Sequence, residues 1–327
     1  MLHSRLGATI QSHPKNPECS QTSGLLQSIP KTRYWYCVNR IRGYLHSWFL
    51  IPISKWDCRR HGIPIGTGIW PLPFNLLLKR TEGTRETEAI AMMVARDMGL
   101  PVPRMLSYAD HGRGQNGSIL MERLPGKTLF EVITTLSLSE LERELESFAS
   151  DLEKTFPCMR MYSSPYHTSI CGVDGQDIRS IRLPNWFVGP CPGAHAFYDT
   201  IQADPNPPRE NGLEREYPEH LANYQRIYDM AHTVVLSHGD LAPHNILVMD
   251  GHITGVIDWE AAGWYPEYWE YTTMLKGLQL TAGPDGQIVP KTAWQRLVLS
   301  LPSFCYATEY DLEWSLWWLT MANWPPW

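Results

Sequence analysis

One stretch constrains the chain more than any other, VVLSHGDLAPHNILVMDGHITGVIDWEAAGWYPEYWEY, which starts at Val234. Two short apolar runs, 246–248 and 253–257, are joined across Asp250-Gly251, the dipeptide that a tight hairpin turn prefers. Polar residues collect at the ends of these runs: His238-x-Asp240-x4-Asn245 before the hairpin and Ile257-Asp258-Trp259 after it. The turn folds Asp258 back toward Asn245, so the side-chain oxygens of Asp240, Asn245 and Asp258 are expected to meet on adjacent loops. Asp240 taken alone reads as a turn cap. The strands on both sides, the hairpin and the Ile-Asp-Trp triplet together argue against an accidental match.

This arrangement resembles the catalytic and metal-binding segments of the aminoglycoside phosphotransferases and related small-molecule kinases, which share the protein-kinase-like fold. The closing Asp-Trp-Glu-x-Ala-Gly-Trp-Tyr-Pro-Glu-Tyr-Trp-Glu run looks most like the fungal branch of that family. The likeness covers roughly residues 70–320, is sharpest over 234–271 and is weak before residue 70. It implies an α+β, two-lobed fold: a small N-terminal sheet with one long helix, and a larger, mainly helical C-terminal lobe. It also implies an enzyme that uses ATP and Mg²⁺ to move a γ-phosphoryl group onto a hydroxyl of a small molecule. Phosphoryl transfer asks for an acceptor hydroxyl held in line, its proton accepted, and phosphate charge neutralised by metal. In that scheme Asp240 accepts the proton, and Asn245 and Asp258 supply oxygen ligands to Mg²⁺, a hard cation. His238 holds the catalytic loop by hydrogen bonding.

Upstream, the resemblance assigns further places. Lys79 ends the apolar run 74–79 and Glu88 lies early in the helix-spaced stretch that follows, the positions of the phosphate-binding lysine and its helix glutamate; the bland alternative is an exposed charge at each element end. Met121, Glu122 and Leu124 match the hinge whose backbone binds adenine. Only Gly66-Thr67-Gly68 precedes the lysine strand, so a full Gly-x-Gly-x-x-Gly loop is missing. Residues 40–65 do not resolve into the two strands that should begin the lobe. Glu260 and Trp264 are candidate substrate contacts, although Glu260 reads equally well as a solvated or capping carboxylate. Gly239 stands where many protein kinases carry an arginine, Trp259-Glu260 replaces Phe-Gly, and no Ala-Pro-Glu follows, so a phosphorylation-gated protein kinase fits poorly. The rival reading is a catalytically degraded nucleotide- or metabolite-binding protein of the same fold.

The remaining sequence sets bounds. Of 327 residues, 43% are apolar, enough for an ordinary core. The formal charge of −6 and the absence of a Lys/Arg run disfavour nucleic acid as a partner. The seven cysteines are odd in number and without metal-ligand spacing, which fits reduced thiols in a cytoplasmic protein. The most apolar early run, 48–53, is too short to span a bilayer, and no protein partner is implied.

Residues 1–30 read as a disordered tail, 31–122 as the nucleotide-binding lobe and 123–327 as the catalytic and substrate lobe. Within them, Ile90, Met93, Val94 and Met98 predict a helix stopped by Gly99. Residues 118–121 predict a strand and 123–126 a connector. Ser137 with Glu140 predicts a capping box before an apolar stripe ended by Pro157. Residues 157–215 predict long loops, and Leu221, Tyr224, Ile227, Tyr228 and Ala231 a helix before the strand at 233–236. Trp314, Trp317, Trp318 and Met321 are expected in the core of a last helix. Glu260, Glu267 and Glu270 suggest a cationic acceptor.

Overall fold

The computed structural model describes residues 33–112, 116–136, 138–160, 162–180, 182, 187–201, 217–276, 289–302 and 304–321. The expected tail, 1–30, and the capping residue Ser137 lie outside them.

A four-stranded antiparallel sheet forms the small lobe, in the order β1 (Ile69–Leu72), β2 (Leu76–Lys79), β4 (Ser118–Glu122) and β3 (Met105–Ala109). Strand β2 begins two residues later than the apolar run suggests. Phe74 and Asn75 adopt left-handed backbone conformations that turn the chain from β1 into β2, and Phe74 is 94% exposed. Lys79 closes β2 opposite Ile69 on one side and Ile119 on the other. One helix, Glu86–Asp97, follows; it buries Glu88, Ile90 and Val94 and ends near Gly99, which has a φ of 84°. A glycine takes that angle without steric cost.

Residues 40–65 contain no strand. They belong to one continuous helical segment: α1 (Arg33–Leu45), a π-helical turn (His46–Leu50) and α2 (Ile51–His61), before the loop that carries Gly66 and Gly68. Pro52 lies at the start of α2, directly after the π-helical turn. With the Glu86–Asp97 helix numbered α3, the small sheet therefore carries helical cover where two opening strands were expected.

Residues 123–126 form the expected connector. The short strand β5 (Lys127–Thr128) then leads into α4 (Leu129–Thr135), whose start is held by a capping box: Thr128 accepts from the Glu131 N–H, and the Glu131 side chain accepts from the Thr128 N–H. Helix α5 (Leu138–Arg160) continues through Pro157 instead of ending there. Leu152, Phe156 and Met159 carry one buried stripe past the proline, so packing holds the last turn.

Short pairs β6 (Cys171–Gly172), β7 (Ile178–Arg179) and β8 (Phe187–Val188), with helix α6 (Ala194–Ile201), occupy the region expected to be loop-rich. Helix α7 (Tyr217–Asp229) and strand β9 (Val234–Ser237) follow as predicted. The hairpin β10 (Ile246–Met249) and β11 (His252–Val256) forms across Asp250 and Gly251, both at positive φ. Strand β12 (Gly263–Pro266) lies between β6 and β9, and helices α8 (Trp269–Lys276), α9 (Val289–Leu299) and α10 (Ala307–Met321) complete the large lobe.

In α10 the buried face is Leu312, Leu316 and Leu319; Trp314 is 42% exposed, Trp318 packs at the rim, and the side chains of Trp317 and Met321 lie outside the description. One hydrophobic cluster runs from α3 through α4 and α5 to the catalytic strands, so the two lobes share a core. Phe148, 1% exposed on α5, lies within it. Truncating it by Phe148→Ala should cost ~3–5 kcal/mol through lost burial and a residual cavity, read as a lowered midpoint in urea unfolding.

Candidate active site

Strand β2 delivers Lys79 to the cleft and α3 delivers Glu88 from behind it. Lys79 Nζ donates to Glu88 Oε1 at 2.7 Å and to Asp258 Oδ1 at 2.7 Å, and lies 3.5 Å from Glu260 Oε2. Burial alone would favour the neutral amine, but these three carboxylates outweigh it and hold the lysine above its ordinary range. Asp258 shows the balance from the other side: burial opposes its ionisation, and Lys79 more than compensates, so its carboxyl titrates below the usual range. Glu260 also accepts from Arg179, which arrives on β7.

Asp258 has φ 65° and ψ 62°, an unusual conformation for a residue with a side chain. Aspartate tolerates it better than most residues. The strain is held by its neighbours: the Ile257 N–H donates to Asn245 O at 2.9 Å, and Trp259 is buried with its indole N–H on Val256 O at 3.0 Å. Backbone strain of this kind concentrates at functional sites.

The loop from His238 to Asn245 is tied down on every side. The His238 Nε2 pairs with Ile257 O at 2.9 Å, and the Asp240 N–H donates to His238 Nδ1 at 3.3 Å. A carbonyl only accepts, so Nε2 carries the proton and Nδ1 the lone pair. Both ring nitrogens are engaged in holding the loop. Gly239 has φ 78°, and a Cβ there would meet Ala261 O at 2.3 Å, which excludes the arginine of many protein kinases. Asn245 Nδ2 donates to Asp240 O at 2.8 Å and to Asp240 Oδ2 at 3.2 Å, fixing the orientation of that half-buried carboxylate.

Glu270 was expected on an acidic, acceptor-facing surface. It is 2% exposed and accepts from the backbone N–H groups of His238 and Gly239. Glu267 accepts from Thr233 N–H at 3.2 Å and Tyr306 Oη–H at 3.3 Å. Both carboxylates are thus committed to the scaffold, and the charge argument for a cationic acceptor loses them. Trp264 faces no acceptor either: it is 1% exposed, on the strand between β6 and β9.

At the hinge, Met121 is buried opposite Leu77, the Glu122 N–H donates to Arg104 O at 3.1 Å, and the Arg123 N–H donates to Asn75 O at 2.7 Å. Leu124 lies just beyond these committed donors. Gly68, with φ 86°, accepts from the Arg80 N–H at 2.7 Å, so Gly66 and Gly68 sit at the Lys79 end of the sheet.

A lysine joined to a helix glutamate under a small sheet, facing an Asp240–Asn245 loop and Asp258, defines a kinase-like phosphotransferase site. The family profile described as the phosphotransferase enzyme family matches residues 76–293, well over half of the chain and all of these side chains except the two glycines, and the chain belongs to that family. A comparison with curated proteins found no significant match. Among solved structures, the aminoglycoside phosphotransferase APH(4)-Ia aligns with a TM-score of 0.55 at 15% identity, covering 82% of this chain and 88% of that one. The apo form of a thermostable mutant of that enzyme aligns equally well, at 0.55 and 16% identity over 82% of this chain and 89% of that one. At such identity the likeness concerns the fold, which is the aminoglycoside-phosphotransferase, protein-kinase-like one.

Two measurements test the electrostatics. Lys79 and Glu88 side chains are 7% and 1% exposed, so Lys79→Ala should cost ~3–5 kcal/mol by stranding a buried carboxylate, and Lys79→Met combined with Glu88→Leu should recover much of it in denaturant unfolding. The Asp240 carboxylate, its Oδ2 3.9 Å from His244 Nε2, raises His244 above the ordinary imidazole range. Its stabilising contribution is full below the ordinary value and is lost as pH rises through the raised one. An NMR titration should show His244 returning toward the ordinary value in Asp240→Asn.

Proposed function

We propose that the chain is an ATP- and Mg²⁺-dependent O-phosphotransferase that moves the γ-phosphoryl group to a hydroxyl of a small molecule, with Asp240 as base. The observation that carries this reading is the Asp240 carboxylate, oriented by Asn245, whose loop is hydrogen-bonded to the chain beside Asp258. The acceptor oxygen forms a bond to the γ-phosphorus, the bond from that phosphorus to the ADP oxygen breaks, and the hydroxyl proton passes to Asp240. Lys79 holds the α- and β-phosphates, Glu88 positions Lys79, and His238 keeps the loop in register. The backbone near Leu124 takes the adenine, since the Glu122 and Arg123 N–H groups are already committed. Gly66-Thr67-Gly68 closes over the phosphates.

The residues present fit Mg²⁺. Among the described residues, Lys79 and Arg179 form the ion pairs of Glu88, Asp258 and Glu260, three carboxylates to two cations. Asn245 turns its Nδ2 to Asp240, which leaves its Oδ1, the atom a hard cation takes. Asn245 and Asp258 would hold the ion, which neutralises phosphate charge when bound. A hydroxyl-bearing small molecule suits a site outside which nothing resembles an activation segment.

A binding protein that has lost transfer is the second reading. It is favoured by the helices at 33–61, which leave the short glycine loop without a strand in front of it. Transfer of labelled γ-phosphate from ATP to pooled amines, sugars and metabolites separates the two. Asp240→Asn should retain folding and Mg·ATP binding while turnover falls about 10²–10⁴-fold; unchanged turnover removes Asp240 as the base. Asp258→Ala should abolish Mg²⁺-dependent nucleotide binding in calorimetry. Nucleotide binding with no product from any pool favours the binding protein.

A further inference from the structure

The helical segment 33–61 wears its amphipathicity inside out. Its inward face carries polar side chains: Asn39, His46 and Ser54 are buried alongside Cys58, and His46 bonds Ser118 Oγ at 2.7 Å and Ser107 Oγ at 3.1 Å across the small sheet. Its outward face is apolar. Ile41, Leu45, Phe49 and Ile53 recur every fourth residue, beside Tyr44, Trp48 and Trp56, all exposed and Trp48 to 74%. Helical spacing of four keeps such residues on one side of the rod. An ordinary surface helix turns these residues to the core, and isolated exposed apolar residues would need no explanation, but a continuous stripe of this kind marks an interaction surface.

The charge on the same segment identifies the partner. Residues 35–61 hold five basic side chains and one acidic one, in a chain whose formal charge is −6. Arg40, Lys55, Arg59 and Arg60 are exposed along the stripe, and the Arg60 guanidinium lies 5.6 Å from the Trp56 ring centroid. Aromatic rings with an apolar body, flanked by long basic side chains, suit the boundary between lipid headgroups and acyl chains. No helix among the described residues is long and apolar enough to cross a membrane, so the segment would lie in the plane of the interface. We propose that residues 35–61 form an in-plane docking surface for an anionic lipid bilayer, which seats the kinase-like body on the membrane without spanning it. The inference does not depend on the catalytic reading. It goes beyond the reading of the apolar run at 48–53, which considered spanning alone.

Flotation of the full chain with vesicles of phosphatidylcholine alone, or of phosphatidylcholine and phosphatidylserine at about 7:3, tests it. The chain should float with the serine-containing vesicles and be released at high salt, because surface attraction is screened. The double variant Trp48→Ser, Phe49→Ser should lower partitioning by about tenfold or more, and Arg59→Glu with Arg60→Glu should remove the serine dependence. All four side chains are exposed, so an unchanged melting curve accompanies both variants. No flotation of the unmodified chain overturns the proposal. So does a dimer in light scattering that the Trp48 and Phe49 variant dissolves, which makes a second copy the occupant. Protection of Trp48 and Phe49 from hydroxyl-radical labelling in the lipid-free monomer also overturns it, because the chain's own residues then cover the face.

Discussion

The site depends on one buried ammonium. Lys79 comes from the sheet, Glu88 from α3, Asp258 and Glu260 from the loop after β11, and the 2.7 Å contacts to Glu88 and Asp258 join all three elements at a single nitrogen. A charge taken out of water is tolerated only when partners replace the lost hydration. The geometry of the cleft is therefore coupled: moving the helix, the strand or the loop exposes a charge imbalance in the other two. Arg179 extends the network to β7 through Glu260, which links the large lobe to the small one.

A second layer of hydrogen bonds fixes the loop from His238 to Asn245. Glu270 gathers two backbone N–H groups, His238 bridges to Ile257, and Asn245 grips Asp240, so the loop is tied to α8 and to the chain after β11. Correct placement of reacting groups supplies a large share of a phosphoryl-transfer rate. Gly239 belongs to the same economy of space. The close approach of Ala261 leaves no room for a side chain, and with it goes the arginine through which a phosphorylated segment would be sensed.

How much of this was legible in the sequence follows from how local each signal is. Asp240, Asn245 and Asp258 flank one hairpin whose turn chemistry is explicit; Asn245 is hydrogen-bonded to Asp240 and, through the Ile257 N–H, to the chain beside Asp258, whose carboxylate turns to Lys79. Lys79 and Glu88 are separated by a predictable strand end and helix start, and they pair at 2.7 Å. Glu270 carries no such signal: its partners are backbone amides more than thirty residues upstream, and backbone amides leave no trace in a sequence. Trp264 misled because an aromatic residue beside a catalytic motif looks available, whereas β-pairing on both sides sinks it into the core. The Thr128–Glu131 capping box, by contrast, had an explicit Thr-x-x-Glu signature just after the connector read at 123–126.

The helices at 33–61 escaped for a more instructive reason. Hydrophobic periodicity locates helices by assuming that the apolar face is the buried one. Here His46, Asn39 and Ser54 face the sheet, and the apolar residues face outward, so the segment looks like neither a core helix nor an alternating strand. The family match begins at residue 76, downstream of this segment and of Gly66 and Gly68. The strand that bears Lys79 is thus preceded by helices that the family match does not include. The core running from α3 into α4 and α5 contains no described residue of those helices, so the packing that joins the small sheet to the large lobe does not rest on them.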